Sequence, residues 1–176
     1  ERTLELQAAN ARLAEASRTD SLTGLLNRRG FLEKGAAEIE RSRRSRKPFC
    51  VVMADADHFK RINDLHGHAA GDRALQLLGD LLRSSLRAQD LVARWGGEEF
   101  VLLLPETDTH GATLVAESIR RRVVERPLAS GELVLPVTLS FGLAEHRPES
   151  NLEGTLAHAD AARYRALHGK IKDAFA

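Results

Sequence analysis

The fold turns on "DLVARWGGEEFVLLLP", residues 90–105. Its flanks, "DLVARW" and "EFVLLLP", are short apolar runs rich in strand formers. Gly96-Gly97 sits between them, which predicts a hairpin with a short loop. A hairpin tip uses glycine; it has no use for two adjacent carboxylates. Glu98 and Glu99 press against a strand expected to be buried, where an acid is costly unless solvated, hydrogen-bonded or metal-bound.

The segment "FCVVMAD" (residues 49–55) follows Pro48 and reads as a fully buried strand that ends on Asp55, with Asp57 two residues on. Asp57 is expected to cap the helix in "HFKRIND". Asp55 has no such role if its strand is central. If the hairpin pairs beside this strand, Glu98 or Glu99 approaches Asp55. Strand alternation sends the two glutamates to opposite faces, so only one is the partner, and spacing leaves open which. Carboxylates from two strands plus a main-chain carbonyl form a hard-oxygen site suited to Mg²⁺.

The surrounding elements follow from periodicity and punctuation. "SRTDSLTGLLNRRGF" is a turn-and-cap region in which Asp20, Ser21 and Thr23 compete for the cap, with a helix expected over residues 28 to about 44. "RALQLLGDLLRSSLR" (residues 73–87) places leucines at 75, 78, 82 and 86, the period of an amphipathic helix, with Asp72 as its expected N-cap. A second helix is expected over residues 113–125, one further strand in "LVLPVTLSFGLAEH", and a last helix in "LEGTLAHADAARYRALHGK". The order is helix, strand, helices, hairpin, helix, strand, helix. It indicates one α+β domain, an α/β sandwich with a mixed, mostly antiparallel central sheet flanked by helices, over residues 20–176.

Residues 1–19 form a separate linker helix. Leu6 and Leu13 are seven apart, with Thr3, Asn10 and Ser17 on the intervening heptad position, a pattern compatible with a short two-stranded coiled coil. The first residue is not Met, which suggests a piece of a longer protein.

The 176 residues carry a formal net charge of +1, so no global basic field points to a nucleic-acid polymer. The arginines of "ERSRRSRK" (residues 40–47) read as a solvated helix end. Cys50, the one cysteine, cannot form an internal disulfide and reads as a small buried hydrophobe. No apolar run approaches the roughly 20 residues of a membrane span, and a cytoplasmic location is expected. No G-x-x-x-x-G-K-[ST] occurs, so a P-loop is not the phosphate device.

Taken together, "DSLTGLLNRRGF", "DADHFKRINDLHGHAAGD" (residues 55–72) and "RWGGEEF" (residues 94–100) resemble the GGDEF family, the diguanylate cyclase domains of bacterial signalling proteins, in the GGEEF form. The resemblance runs on to "ADAARYRA" and implies a fold like the palm domains of nucleotidyl cyclases and polymerases. It implies that Asp55, Glu98 and the Ala56 main-chain carbonyl hold two Mg²⁺ (or Mn²⁺) ions per GTP site. The main chain through Asp57, His58, Phe59 and Lys60 would cradle the phosphates. Asn63 and Asp72 would read guanine, and His68 stands at a nucleotide-contacting position. Glu99 lies beside the metals as the second catalytic acid. Two such domains, each with one GTP, would form a symmetric homodimer that makes cyclic di-GMP, and the N-terminal helix would bring them together under an upstream sensor. Arg87 and Asp90 match the family's RxxD product-inhibition site. A second inhibitory arginine aligns with Ser118, leaving Arg120, Arg121 or Arg122 as substitutes.

One departure stands out. The family's last helix usually continues "ALYxAKxxGRN", whereas this chain reads "AARYRALHGKIK", with Leu167 at the phosphate-gripping lysine and Ile171 at an arginine. His168, Lys170 and Lys172 are the nearby cations. The departure keeps an alternative open: a weakly active or inactive domain that binds GTP or cyclic di-GMP as a binding and dimerisation module. A purely structural dimerisation module would need neither "GGEEF" nor the phosphate loop.

Overall fold

The computed structural model describes residues 2–168. In chain order the elements are α1 (Arg2–Ala16), α2 (Arg28–Ser45), β1 (Phe49–Ala56), α3 (Phe59–His66), α4 (His68–Ser84), β2 (Leu91–Arg94), β3 (Glu99–Pro105), α5 (Thr109–Glu125), β4 (Leu128–Ser130), β5 (Leu133–Leu135), β6 (Leu139–Glu145) and α6 (Leu152–His168).

The central sheet has the order β2-β3-β1-β6, and each of these neighbouring pairs is antiparallel. One isolated parallel bridge, Leu26 to Ala93, is added at the β2 edge. Strand β1 is covered on both sides, which is why its sequence is a continuous apolar run. Cys50, Val52, Ala54 and Ala56 enter one core with residues of α3, α4 and α5, while Phe49, Val51 and Met53 enter a second core with Phe31 of α2 and Leu152, Leu156 and Ala159 of α6. This is the α+β sandwich expected from the pattern. Cys50 is fully buried, and burial pushes its thiol up to about 12.

Several local expectations are corrected. Helix α2 is capped by Asn27, whose side chain accepts from the Gly30 amide at 2.9 Å; Asp20 instead closes its own turn by accepting from the Thr23 amide and hydroxyl at 2.8 and 2.7 Å. Helix α4 starts at His68, so Asp72 lies inside its first turns and is no N-cap. The large apolar residues of that helix begin at Leu75, and its first turn packs on the core only through Ala70 and Gly71. Gly67, at φ 87°, ends α3 and starts α4, a left-handed corner that glycine adopts without penalty. Helix α5 gains a first turn because Asp108 caps it through the Gly111 amide at 2.8 Å.

The segment expected to give one strand gives two. Pro136 has no amide to donate, and the chain splits there. Leu133–Leu135 pairs with Leu128–Ser130 in a separate hairpin, while Leu139–Glu145 joins the central sheet beside β1. The readings on Lys170, Ile171 and Lys172, and on the side chains of Leu167 and His168, lie outside the described residues.

Candidate active site

The register of the central sheet sets the site. Strands β1 and β3 pair from Phe49 opposite Pro105 to Asp55 opposite Glu99. Directly opposed residues project to the same face, so the Asp55 and Glu99 carboxylates share the α6 side of the sheet edge. Glu98 lies in the turn just outside β3, where strand alternation does not govern it. Its main-chain carbonyl accepts from the Ala56 amide at 3.1 Å. Of the two glutamates, Glu99 is the one that register sets opposite Asp55. Burial pushes the Asp55 carboxyl up to about 6 against the pull of Arg163, with Glu98, Glu99 and Asp57 adding repulsion.

The glycines of the turn are not there for backbone geometry, since neither Gly96 nor Gly97 has a positive φ. A Cβ on Gly97 would meet nothing within 4 Å, and one on Gly96 only the Glu99 carboxylate at 3.3 Å. The turn thus presents bare backbone to an open approach beside two acids. Arg94 braces it from below: Nε donates to the Gly96 and Gly97 carbonyls at 3.2 and 3.0 Å, and Nη1 reaches Asp20 at 3.2 Å. Trp95 meets Phe31 edge-to-face at 5.9 Å and lies under the Arg28 guanidinium at 4.3 Å.

Beyond β1, Asp57 does not cap α3. Its carboxylate accepts from Thr138 Oγ1 at 2.7 Å and Ser140 Oγ at 2.5 Å, which ties the end of β1 to β6. The N-cap of α3 is His58, in the left-handed region at φ 54° and without a side-chain capping bond. A non-glycine residue held there is uncommon and concentrates at functional loops. The first amides of α3 are left for an anion, the arrangement a helix N-terminus offers to phosphate. Phe59 is buried in the core, so its contribution to a ligand is its main-chain amide; Lys60 is exposed.

Further along, Asn63, His68 and Asp72 gather at the α3–α4 corner. His68 and Asp72 are exposed and four apart on α4, hence on one face. Asn63 Oδ1 is buried with no hydrogen-bond partner, packed against Gly71, where a Cβ would stand 1.8 Å from it. An unpaired buried amide oxygen is costly.

Arg87 and Asp90 do pair, with Nη2 donating to Asp90 Oδ1 at 2.8 Å, to the Pro105 carbonyl at 3.1 Å and to Thr107 Oγ1 at 3.0 Å. They sit at the far end of β3 from Glu99, roughly 20 Å away at about 3.4 Å per strand residue. Of the arginines on α5, Arg122 donates to Ser84 and Ser85 beside that site, whereas Arg120 pairs with Glu117.

The residue that sequence reasoning missed is Arg163 of α6. Its guanidinium donates to Asp55 Oδ2, to Glu99 Oε1 at 2.8 Å and to Asp160 Oδ1 at 2.7 Å. Gly142 of β6 permits the approach, since a Cβ there would stand 2.1 Å from the Arg163 amide and 2.2 Å from the Ala159 carbonyl. The available signals were an arginine among alanines in "ADAARY" and a glycine inside a strand. The oxygen donors of Asp55, Glu98 and Ala56 have the chemistry a hard divalent cation needs. Among the described residues, no three His, Cys, Asp or Glu side chains are yet gathered closely enough to hold one; the guanidinium stands between two of the acids.

Comparison with known proteins gives the family and the fold. Over 163 residues the chain is 39% identical to diguanylate cyclase DgcM of Escherichia coli K12, covering 92% of this chain and 39% of that protein. The chain thus spans about two fifths of the length of this curated relative. Diguanylate cyclase SiaD of Pseudomonas aeruginosa, solved with its activator SiaC, superposes with a TM-score of 0.82 at 42% identity, over 95% of this chain and 64% of that one. The coiled coil and GGDEF domain of DgcB from Caulobacter crescentus, solved with c-di-GMP, gives 0.81 at 27% identity, over 96% and 92%. The family described as diguanylate cyclase, GGDEF domain, matches residues 17–172, and the chain belongs to it.

Proposed function

We propose that the chain is a diguanylate cyclase that condenses two GTP into cyclic di-GMP. The observation that carries this reading is the opposition of Asp55 and Glu99 at the mouth of a bare glycine turn, with Glu98 beside them. Asp55, Glu98 and the Ala56 carbonyl would hold Mg²⁺ or Mn²⁺, two per nucleotide, whose chemistry is to neutralise the triphosphate and acidify the attacking hydroxyl.

The chain's own residues do the rest. The amides of His58, Phe59 and Lys60 at the start of α3 orient the β- and γ-phosphates. The exposed Asp72 carboxylate accepts from guanine N1–H and N2–H₂, a donor pair adenine lacks, while Asn63 offers its unpaired amide and His68 flanks the base. The 3′-oxygen of one GTP bonds to the α-phosphorus of the other, the bond to the β-phosphate oxygen breaks, and pyrophosphate leaves. Glu99 is placed to receive the hydroxyl proton. The second bond forms in the same way.

One nucleotide per domain requires two chains face to face in C2 symmetry. Helix α1 supports that assembly, since Leu6 and Leu13 are 64% and 69% exposed and suit a coiled-coil seam. Bound product at Arg87 and Asp90, with Arg122 nearby, would hold domains in an unproductive arrangement. No helix among the described residues is long and apolar enough to cross a membrane.

The test is Glu98→Ala. It should abolish formation of cyclic di-GMP while leaving the circular dichroism spectrum unchanged; retained turnover would remove Glu98 from the site.

A further inference from the structure

The cation already resident at the carboxylate pair is the feature the proposed reaction does not absorb. Arg163 is 12% exposed and touches three acids: Asp55, Glu99 and Asp160. Asp160, one helical turn away and 55% exposed, holds the guanidinium through Nε at 3.2 Å and Nη2 at 2.7 Å. That leaves the outer edge of the fork aimed at the sheet. Gly142 removes the side chain that would hold α6 away, so the contact is built into the packing of helix on strand. In the pattern "ALYxAK" the corresponding position is a leucine, which has no charge to offer these acids. Here a delocalised cation spans the carboxylates, satisfying Asp55 and Glu99 with charge-assisted hydrogen bonds.

We propose that Arg163 is the resident counter-ion of the Asp55–Glu99 pair, and that a divalent cation enters the site by displacing its guanidinium. The proposal rests on the reading of Asp55 as a metal ligand with Glu99 beside the metals. A guanidinium and a divalent ion compete for the lone pairs of the one carboxylate both use, Asp55, and their like charges repel at that distance. Each metal-binding event therefore breaks the bond to Asp55, and the affinity for metal without nucleotide is lowered by that amount. The displaced arginine stays tethered by Asp160, one turn before residue 167, where the family pattern has its phosphate-gripping lysine.

Mn²⁺ binding to the whole chain without nucleotide, followed by the loss of the free-ion electron paramagnetic resonance signal, tests this. Arg163→Leu should bind Mn²⁺ about tenfold more tightly than the unaltered chain, the equivalent of one charge-assisted hydrogen bond no longer broken. Arg163→Gln serves as a second uncharged variant if leucine perturbs folding, which thermal unfolding reports. The gain must vanish when Asp55→Asn is added. Equal or weaker Mn²⁺ binding in the folded variants, or a gain that survives Asp55→Asn, overturns the proposal. If neither the unaltered chain nor the variants bind Mn²⁺, the metal-site reading itself fails and the proposal with it.

Discussion

Asp55→Asn tests whether the site is held at the expense of the fold. Asp55 sits at the end of a central strand with its side chain 19% exposed. Its carboxyl is raised from 3.8 to about 6, first by burial and then by Glu98, Glu99 and Asp57, with Arg163 opposing. At about 1.4 kcal/mol per unit, a rise of that size penalises the ionised native form by about 3 kcal/mol, an upper figure because water and side chains relax around the charge. The sign follows from linkage. Between pH 3.8 and about 6 the native chain keeps a proton that the unfolded chain has lost, so this group's contribution to stability falls as pH rises. Above about 6 the penalty is present in full; below 3.8 it is gone.

Asparagine keeps the shape and removes the charge. The metal-free variant should therefore be more stable than the unaltered chain by about 1–3 kcal/mol at pH 7.5, a rise in Tm of several degrees for a chain of this size. At pH 4 the two should nearly coincide. Urea unfolding in the presence of a chelator, at both pH values, measures the difference. A variant less stable at pH 7.5, or one whose gain is the same at both pH values, would refute the reasoning. Mn²⁺ should narrow the gap by binding only the unaltered native chain.

Two other substitutions probe the frame around the site. Gly142→Ala places a methyl 2.1–2.2 Å from the backbone of α6, which cannot yield as a side-chain tip does; a loss of about 1–3 kcal/mol or more is expected, and an unchanged thermal melt would contradict the packing described. Arg87→Ala should abolish tight binding of cyclic di-GMP by titration calorimetry. Unchanged affinity would reduce Arg87 and Asp90 to a structural pair.

What was legible in the sequence is what local chemistry writes locally. The hairpin around Gly96-Gly97, the buried strand ending on Asp55 and the amphipathic faces of α4 and α5 follow from alternation and period. Once β1 and β3 pair, the approach of a glutamate to Asp55 follows as well. The rest depended on contacts between distant residues. Asp57 looked like a helix cap because its partners, Thr138 and Ser140 at the start of β6, lie more than eighty residues away. The start of α4 was hidden because its first turn, His68-Ala69-Ala70-Gly71, carries no large apolar residue and no side-chain cap. Arg163 was passed over because its acids lie 108 and 64 residues away and only Gly142 brings the helix within reach.

The reaction of the site is the conversion of GTP. Incubating the chain with GTP and Mg²⁺ at high protein concentration and separating the nucleotides measures it directly. Cyclic di-GMP is expected, with two pyrophosphates released for each molecule formed, at a rate per chain that rises with protein concentration. GTP recovered intact at every protein concentration would contradict it.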